Sequence, residues 1–114
     1  MERAVLLHLL QPEFPGKPEL LKQANLAKVR STCTCGCPSI LLTLPPTTAQ
    51  AKVLQRVPVE AESQDVDGVG IHFLLHVVDG MLREIEIFRE DSEPIKKMPA
   101  LETLSVSAFR PANN

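Results

Sequence analysis

The stretch from Ile71 to Arg89 constrains the fold more than any other part of the chain. It holds two alternating segments, Ile71 to Val77 and Met81 to Arg89, joined through Val78-Asp79-Gly80. Alternation of apolar and polar residues at a period of two is what a strand with one buried face requires. An Asp-Gly pair between two such runs is a hairpin signal. The apolar pattern also predicts a register. With Asp79-Gly80 as a two-residue loop, Leu75 would face Glu84 and Phe73 would face Glu86, placing carboxylates on the apolar side. A three-residue loop Val78-Asp79-Gly80 instead pairs Val77 with Met81, Phe73 with Ile85 and Ile71 with Ile87. The predicted buried face is then Ile71, Phe73, Leu75, Val77, Met81, Ile85 and Ile87, with Arg83 intruding. The predicted polar face is His72, Leu74, His76, Leu82, Glu84 and Glu86, with His72 across from Glu86 and His76 across from Leu82.

A lone hairpin is marginal in water, so the rest of the chain must cover its apolar face. Val5, Leu6, Leu9 and Leu10 recur at helical spacing before Pro12 stops the run, which predicts one short helix. A turn at Glu13 to Lys17 leads into a second helix from Pro18 to about Asn25, with Pro18 suited to the first helical position and Glu19 to the positive end of the helix dipole. Its stripe of Leu20, Leu21 and Ala24 is too narrow to stand alone and calls for a sheet beneath it. From Lys28 the period changes to two, with Val29, Ser31 and Cys33 as the inward residues of a half-buried strand. Cys35 to Pro38 reads as a turn. Ser39 to Leu44 is almost wholly apolar and is expected as a central strand covered on both faces. A further strand runs through Val57, Val59 and Ala61, where Pro58 argues for an edge position. Thr103 to Ala108 supplies the last strand. The expected fold is α+β: two short N-terminal helices packed on one face of a five- or six-stranded, mainly antiparallel sheet. At 114 residues with 44% hydrophobic and 23% charged, the chain is expected to form a single domain over 1–114, with 110–114 as a loose tail.

Charge and motif content narrow the function classes. Twelve Lys and Arg against fourteen Asp and Glu give a formal charge of −2, which provides no electrostatic footprint for nucleic acid or an anionic membrane. No apolar run approaches the roughly 18 residues that span a bilayer. The N-terminal apolar stretch is read as a helix of the mature protein rather than a signal peptide, because Glu2 and His8 interrupt it and no small-residue cleavage site follows. Cys33, Cys35 and Cys37 are odd in number and badly spaced for an unstrained disulfide, so a reducing cytoplasm is expected. Their thiolates are candidate zinc ligands, with His72 or His76 as a fourth group. Against this stands the absence of a second Cys or His pair, and the same residues can serve as a small buried hydrophobe and a tight turn. A thiol redox role would more commonly use Cys-x-x-Cys.

His72, His76, Glu84 and Glu86 form a second constellation, with histidine and carboxylate in cross-strand reach but no nucleophile beside them. On a strand the two histidines stand about 13 Å apart, too far to act as a metal pair. A solvated hairpin face accounts for them, and Leu74 and Leu82 on that face are candidate interface residues. Asp65-Val66-Asp67-Gly68 lacks the remaining ligands of a calcium loop and is read as a turn. Gly68 and Gly70 make no phosphate loop, and there is no Gly-x-Ser-x-Gly elbow. The balance favours a non-enzymatic protein-interaction domain, either self-associating or binding another protein, with a metal or thiol site on the three cysteines as the alternative.

Phe14-Pro15-Gly16 before a Leu-Leu-Lys-Gln helix, Cys35-Gly36-Cys37-Pro38-Ser39, and Leu75-His76-Val77-Val78-Asp79-Gly80 running into Leu82-Arg83-Glu84-Ile85-Glu86-Ile87 occur in this order. The arrangement resembles a family of small uncharacterised bacterial proteins with a Cys-Gly-Cys turn before such a hairpin, over roughly residues 5 to 100 on a single-sequence pattern. The resemblance implies a bacterial cytoplasmic protein and brings no activity, cofactor or catalytic residue with it.

Overall fold

The computed structural model describes residues 2–32 and 38–109. The expected tail at 110–114, the three cysteines and most of the turn expected around them lie outside the described residues. In chain order the elements are α1 (Glu2–Leu9), α2 (Lys17–Leu26), β1 (Lys28–Thr32), β2 (Ile40–Thr43), β3 (Val59–Gln64), β4 (Gly70–Val78), β5 (Met81–Arg89) and β6 (Ser105–Ala108). The six strands form one sheet in the order β1-β2-β5-β4-β3-β6, antiparallel throughout. The expected α+β architecture is what forms.

The helices follow from their sequence. Val5, Leu6, Leu9 and Leu10 are buried on one side of α1 and its exit. Helix α2 opens with Gly16 at φ 92° and Pro18 in its first turn, a backbone shape that suits glycine and a position where proline's missing N–H costs nothing. Leu20 and Ala24 join the α1 residues in one core with Leu42, Val59, Ala61, Ile71, Phe73, Leu75, Val77, Leu82, Ile85 and Ile87 of the sheet. All of these strand residues belong to one face. Gln23, also buried, docks α2 on the hairpin tip. Its Nε2 donates to the carbonyls of Ala49 (2.9 Å) and Gly80 (2.8 Å), and its Oε1 accepts from the Leu82 N–H (2.9 Å). The Gly80 carbonyl also accepts the Ala51 N–H (2.8 Å), so the hairpin tip, α2 and the segment around Ala49 to Ala51 are tied together through one set of bonds.

The hairpin register differs from the expected one. Val78 pairs with Met81, so the loop is the two residues Asp79 and Gly80, with φ of 52° and 73°. Positive φ at both central positions defines the turn whose twist matches paired strands, and Asp-Gly is a favoured sequence for it. A Cβ on Gly80 would also lie 2.7 Å from the Ala51 carbonyl oxygen, a second reason for glycine. The ladder then shifts between His76 and Val77: Val77 pairs with Leu82 and His76 with Glu84, leaving Arg83 as the extra residue of a β-bulge. The bulge removes the clash that an unbroken two-residue hairpin would create. Leu75 faces Ile85 and Phe73 faces Ile87. Leu82 therefore lies in the core at 2% exposure, not on the polar face with Leu74, while Met81 is half-buried and Arg83 is exposed. The cross-strand partner of His72 is Phe88, and that of His76 is Glu84.

Three further expectations are corrected by the strand order. β2 is second from an edge instead of central; Leu42 is buried, but Ile40 and Leu41 are half-buried. β1 is an edge strand, which leaves Val29 41% exposed. β3 is interior, between β4 and β6, and tolerates Pro58 because that residue precedes the strand and contributes its carbonyl to the N–H of Phe109. Among the described residues, no helix is long and apolar enough to cross a membrane.

Candidate functional site

With the helices on one side, the other side of the sheet carries the remaining alternate residues. β4 contributes His72, Leu74 and His76; β5 contributes Glu84, Glu86 and Phe88; β3 contributes Glu60 and Glu62; β6 contributes Ser105 and Ser107. Glu90 follows in phase just beyond β5, its N–H bonded to the Gly70 carbonyl. Leu74 sits at the middle of this open face, half-buried between its cross-strand partners Glu60 and Glu86.

The two histidines have different partners. His72 Nε2 lies 2.7 Å from Glu90 Oε1, its Nδ1 lies 4.0 Å from Glu62 Oε2, and its ring stacks on Phe88 at 5.2 Å between centroids. His76 Nε2 lies 2.7 Å from Glu86 Oε1, while its Nδ1 accepts from Arg56 Nε at 3.1 Å. An arginine Nε–H is always a donor, so Nδ1 of His76 is the acceptor and Nε2–H donates to Glu86. Arg56 is held there by its own backbone, since its carbonyl accepts the Val77 N–H beside the bulge at 2.7 Å. The expected association of His72 with Glu86 does not form; Glu86 serves His76, and Glu90 serves His72. Glu84 is half-buried opposite His76.

Both imidazoles are thus engaged by glutamate on one side, with arginine or a second glutamate at the other nitrogen. No hydroxyl hydrogen-bonds either ring in the described residues. Both histidines lie on β4, where the four-residue interval holds them about 13 Å apart. Among the described residues, no cluster of three or more His, Cys, Asp or Glu is arranged to hold a metal ion. Cys33, Cys35 and Cys37 lie outside that set.

One polar cluster has no counterpart in the sequence reading. Arg89 ends β5 on the inward face, in phase with Ile85 and Ile87, and its side chain is 5% exposed. Its Nε bonds Asp91 (2.8 Å), Nη1 bonds Asp65 (2.9 Å) and Asp67 (3.0 Å), and Nη2 bonds Asp67 (2.7 Å) and Asp91 (2.9 Å). All five guanidinium donors are used, two carboxylates being gripped bidentately. Asp65 also accepts the N–H groups of Val66, Lys96 and Lys97. The Arg89 bonds hold Asp67 down at about 2 against the effect of burial. Burial acts most strongly on Asp65 and would raise it, yet the bonds from Lys96, Val66, Arg89 and Lys97 together leave it lowered. Asp91 is lowered chiefly by Arg89, and Arg89 is raised chiefly by Asp91. This cluster ties the β3–β4 turn to the segment after β5 and is structural. The inward phase of Arg89 after Ile85 and Ile87, with aspartates in the flanking turns, was the available sequence signal, but it emerges once the bulge is placed.

A family described as a domain of unknown function (DUF6984) matches residues 1–99. No curated protein and no solved structure matches the chain.

Proposed function

The chain belongs to the DUF6984 family of domains of unknown function, and we propose from its own residues that it is a non-enzymatic protein-interaction domain whose open sheet face takes a cationic segment of another protein. The observation that carries this reading is Leu74, half-buried at the centre of a face lined by Glu60, Glu62, Glu84, Glu86 and Glu90. Lysine and arginine suit such a surface. Their aliphatic stems cover apolar area such as Leu74 and Phe88 while their charged ends reach carboxylates. Opposite charge at the rim accelerates encounter and makes association sensitive to salt. The resemblance to small bacterial proteins and the odd cysteine number favour a bacterial cytoplasm as the setting.

The test is a titration of isotopically labelled protein with a panel of lysine-rich peptides carrying interspersed leucines, followed by backbone amide shifts. The expected result is a set of perturbations centred on Glu60, Leu74 and Glu86 that weakens with added salt. Binding should fall at least tenfold in the double variant Glu60→Lys, Glu86→Lys. Perturbations elsewhere on the molecule, or none across the panel, would refute the reading.

A further inference from the structure

The two edges of the sheet are built differently. β1 carries Lys28 and Arg30 and has an irregular register between Val29 and Ser31, two devices that discourage pairing with another chain. β6 is Ser105-Val106-Ser107-Ala108, without a charge, a proline or a bulge, and it runs in unbroken register along β3 from Val59↔Ala108 to Glu62↔Ser105. Among the described residues, no strand pairs with its outer side. We propose that β6 pairs antiparallel with β6 of a second copy, joining two six-stranded sheets about a two-fold axis at Ser107.

The hydrogen-bond pattern selects that axis. The Phe109 N–H bonds the Pro58 carbonyl at 2.8 Å, which makes Pro58 and Phe109 a hydrogen-bonded position of the β3–β6 ladder. Bonding direction alternates along an antiparallel strand, so Ser107 and Ser105 also direct their backbone groups toward β3, while Val106 and Ala108 direct theirs outward. A two-fold at Ser107 sets Val106 opposite Ala108 of the second copy, and Ala108 opposite its Val106, so that every outward N–H and C=O of these residues is paired. Side chains agree. Val106, which packs against the core, meets an apolar partner on the inner face, and Ser107 meets serine on the open face. Among the strand residues described, the nearest like charges across the junction are the Glu60 and Glu62 rows on β3, three strand spacings or about 14 Å apart, which exceeds the Debye length of about 8 Å at physiological salt. The same operation at β1 would bring its lysine and arginine residues together. This inference concerns the edge and does not depend on what the open face binds, although the dimer would present two such faces side by side.

Sedimentation velocity on the full chain from low micromolar to near-millimolar concentration is the first measurement, with a monomer–dimer equilibrium expected because the paired segment is short. Ala108→Pro removes an outward N–H without touching the β3 ladder and should shift the dimer dissociation constant at least tenfold while the monomer keeps its far-UV spectrum. In a background with Cys33, Cys35 and Cys37 changed to serine, Ser107→Cys should oxidise to a covalent dimer, since directly opposite non-hydrogen-bonded residues stand about 4.5 Å apart between Cα atoms and disulfides span about 4.4–6.8 Å. Ser105→Cys should not. A monomer at every concentration would overturn the proposal, as would a dimer indifferent to Ala108→Pro or one cross-linked equally well through residue 105.

Discussion

The inner and outer faces of the β4–β5 hairpin come from the same alternating sequence, yet they are finished by different physics. The inner face buries Ile71, Phe73, Leu75, Val77, Leu82, Ile85 and Ile87 and ends in Arg89 with every donor used. The outer face keeps its histidines and glutamates in half-exposed pairs around Leu74. On the inner face a polar group is tolerated because its partners arrive from two other segments. On the outer face water and mobile side chains share the work, where ion pairs contribute little to stability. The inner face therefore governs folding, and residues of the outer face can change with little cost to it.

The largest effect should come from Arg89. Changing it to Met leaves the buried Asp65 and the more exposed Asp67 and Asp91 without their arginine, and breaking a buried pair in this way is strongly destabilising; a melting midpoint lower by roughly 10 °C or more is expected for a domain of this size. The pH dependence should also reverse. In the wild type, Asp67 sits at about 2 against an ordinary 3.8, and Asp65 and Asp91 are lowered as well. A lowered carboxylate stabilises fully above its unfolded value and loses that contribution as pH falls through its folded value, so wild-type stability should decline from about pH 4 toward pH 2. In Arg89→Met the three aspartates lose their shared cation, although Asp67 keeps Lys96 at 3.3 Å and Asp65 keeps its backbone N–H donors; their mutual repulsion means that acidification over the same interval should recover part of the lost stability. Thermal melts of both proteins across that range decide it, and parallel curves would deny the cluster its role.

A smaller and more local contrast separates the two leucines that the sequence assigned to one face. Leu82→Ala should cost about 2–5 kcal/mol in denaturant unfolding, as for buried leucines generally. Leu74→Ala should stay within about 1 kcal/mol, in the range of substitutions away from the core. Equal costs would remove the distinction between the faces. The smallest effect should follow deletion of Arg83. Without the extra residue, Val77↔Leu82 and His76↔Glu84 become consecutive pairs of a regular ladder, and both faces keep their residues. Stability should change by no more than about 1 kcal/mol, with cross-strand contacts between Leu75 and Ile85 preserved by NMR. Under a three-residue loop the same deletion would invert one strand and abolish folding, so it distinguishes the registers directly.

Much of the architecture was legible locally. Pro12 and Pro18 mark where the helices stop and start, the period of two marks each strand, and Asp79-Gly80 marks the hairpin. His72, His76, Glu84 and Glu86 share the outer face, because Glu84 and Glu86 keep their alternation with Ile85 and Ile87 whatever lies at the turn. What escaped was the length of the turn, and with it the placement of Leu82, Met81, Arg83 and every partner across the ladder. An apolar pattern is satisfied equally by a longer loop or by a two-residue loop with a bulge. The preference of Asp-Gly for positive φ at both positions, and Gln23 waiting on α2 for the Leu82 N–H, favour the second.

The sequence by itself therefore determined which segments are helical, which are extended, and which residues alternate, since these depend on backbone preferences and spacing within a few residues. Tertiary structure decided the register of the hairpin, the burial of Arg89 and the pairing of His76 with Arg56 and Glu86. Those partners come from separate segments, as when Arg89 meets Asp65 across an interval of 24 positions. Their meeting is set by packing the sheet against α1 and α2, a competition among whole arrangements that no local pattern encodes.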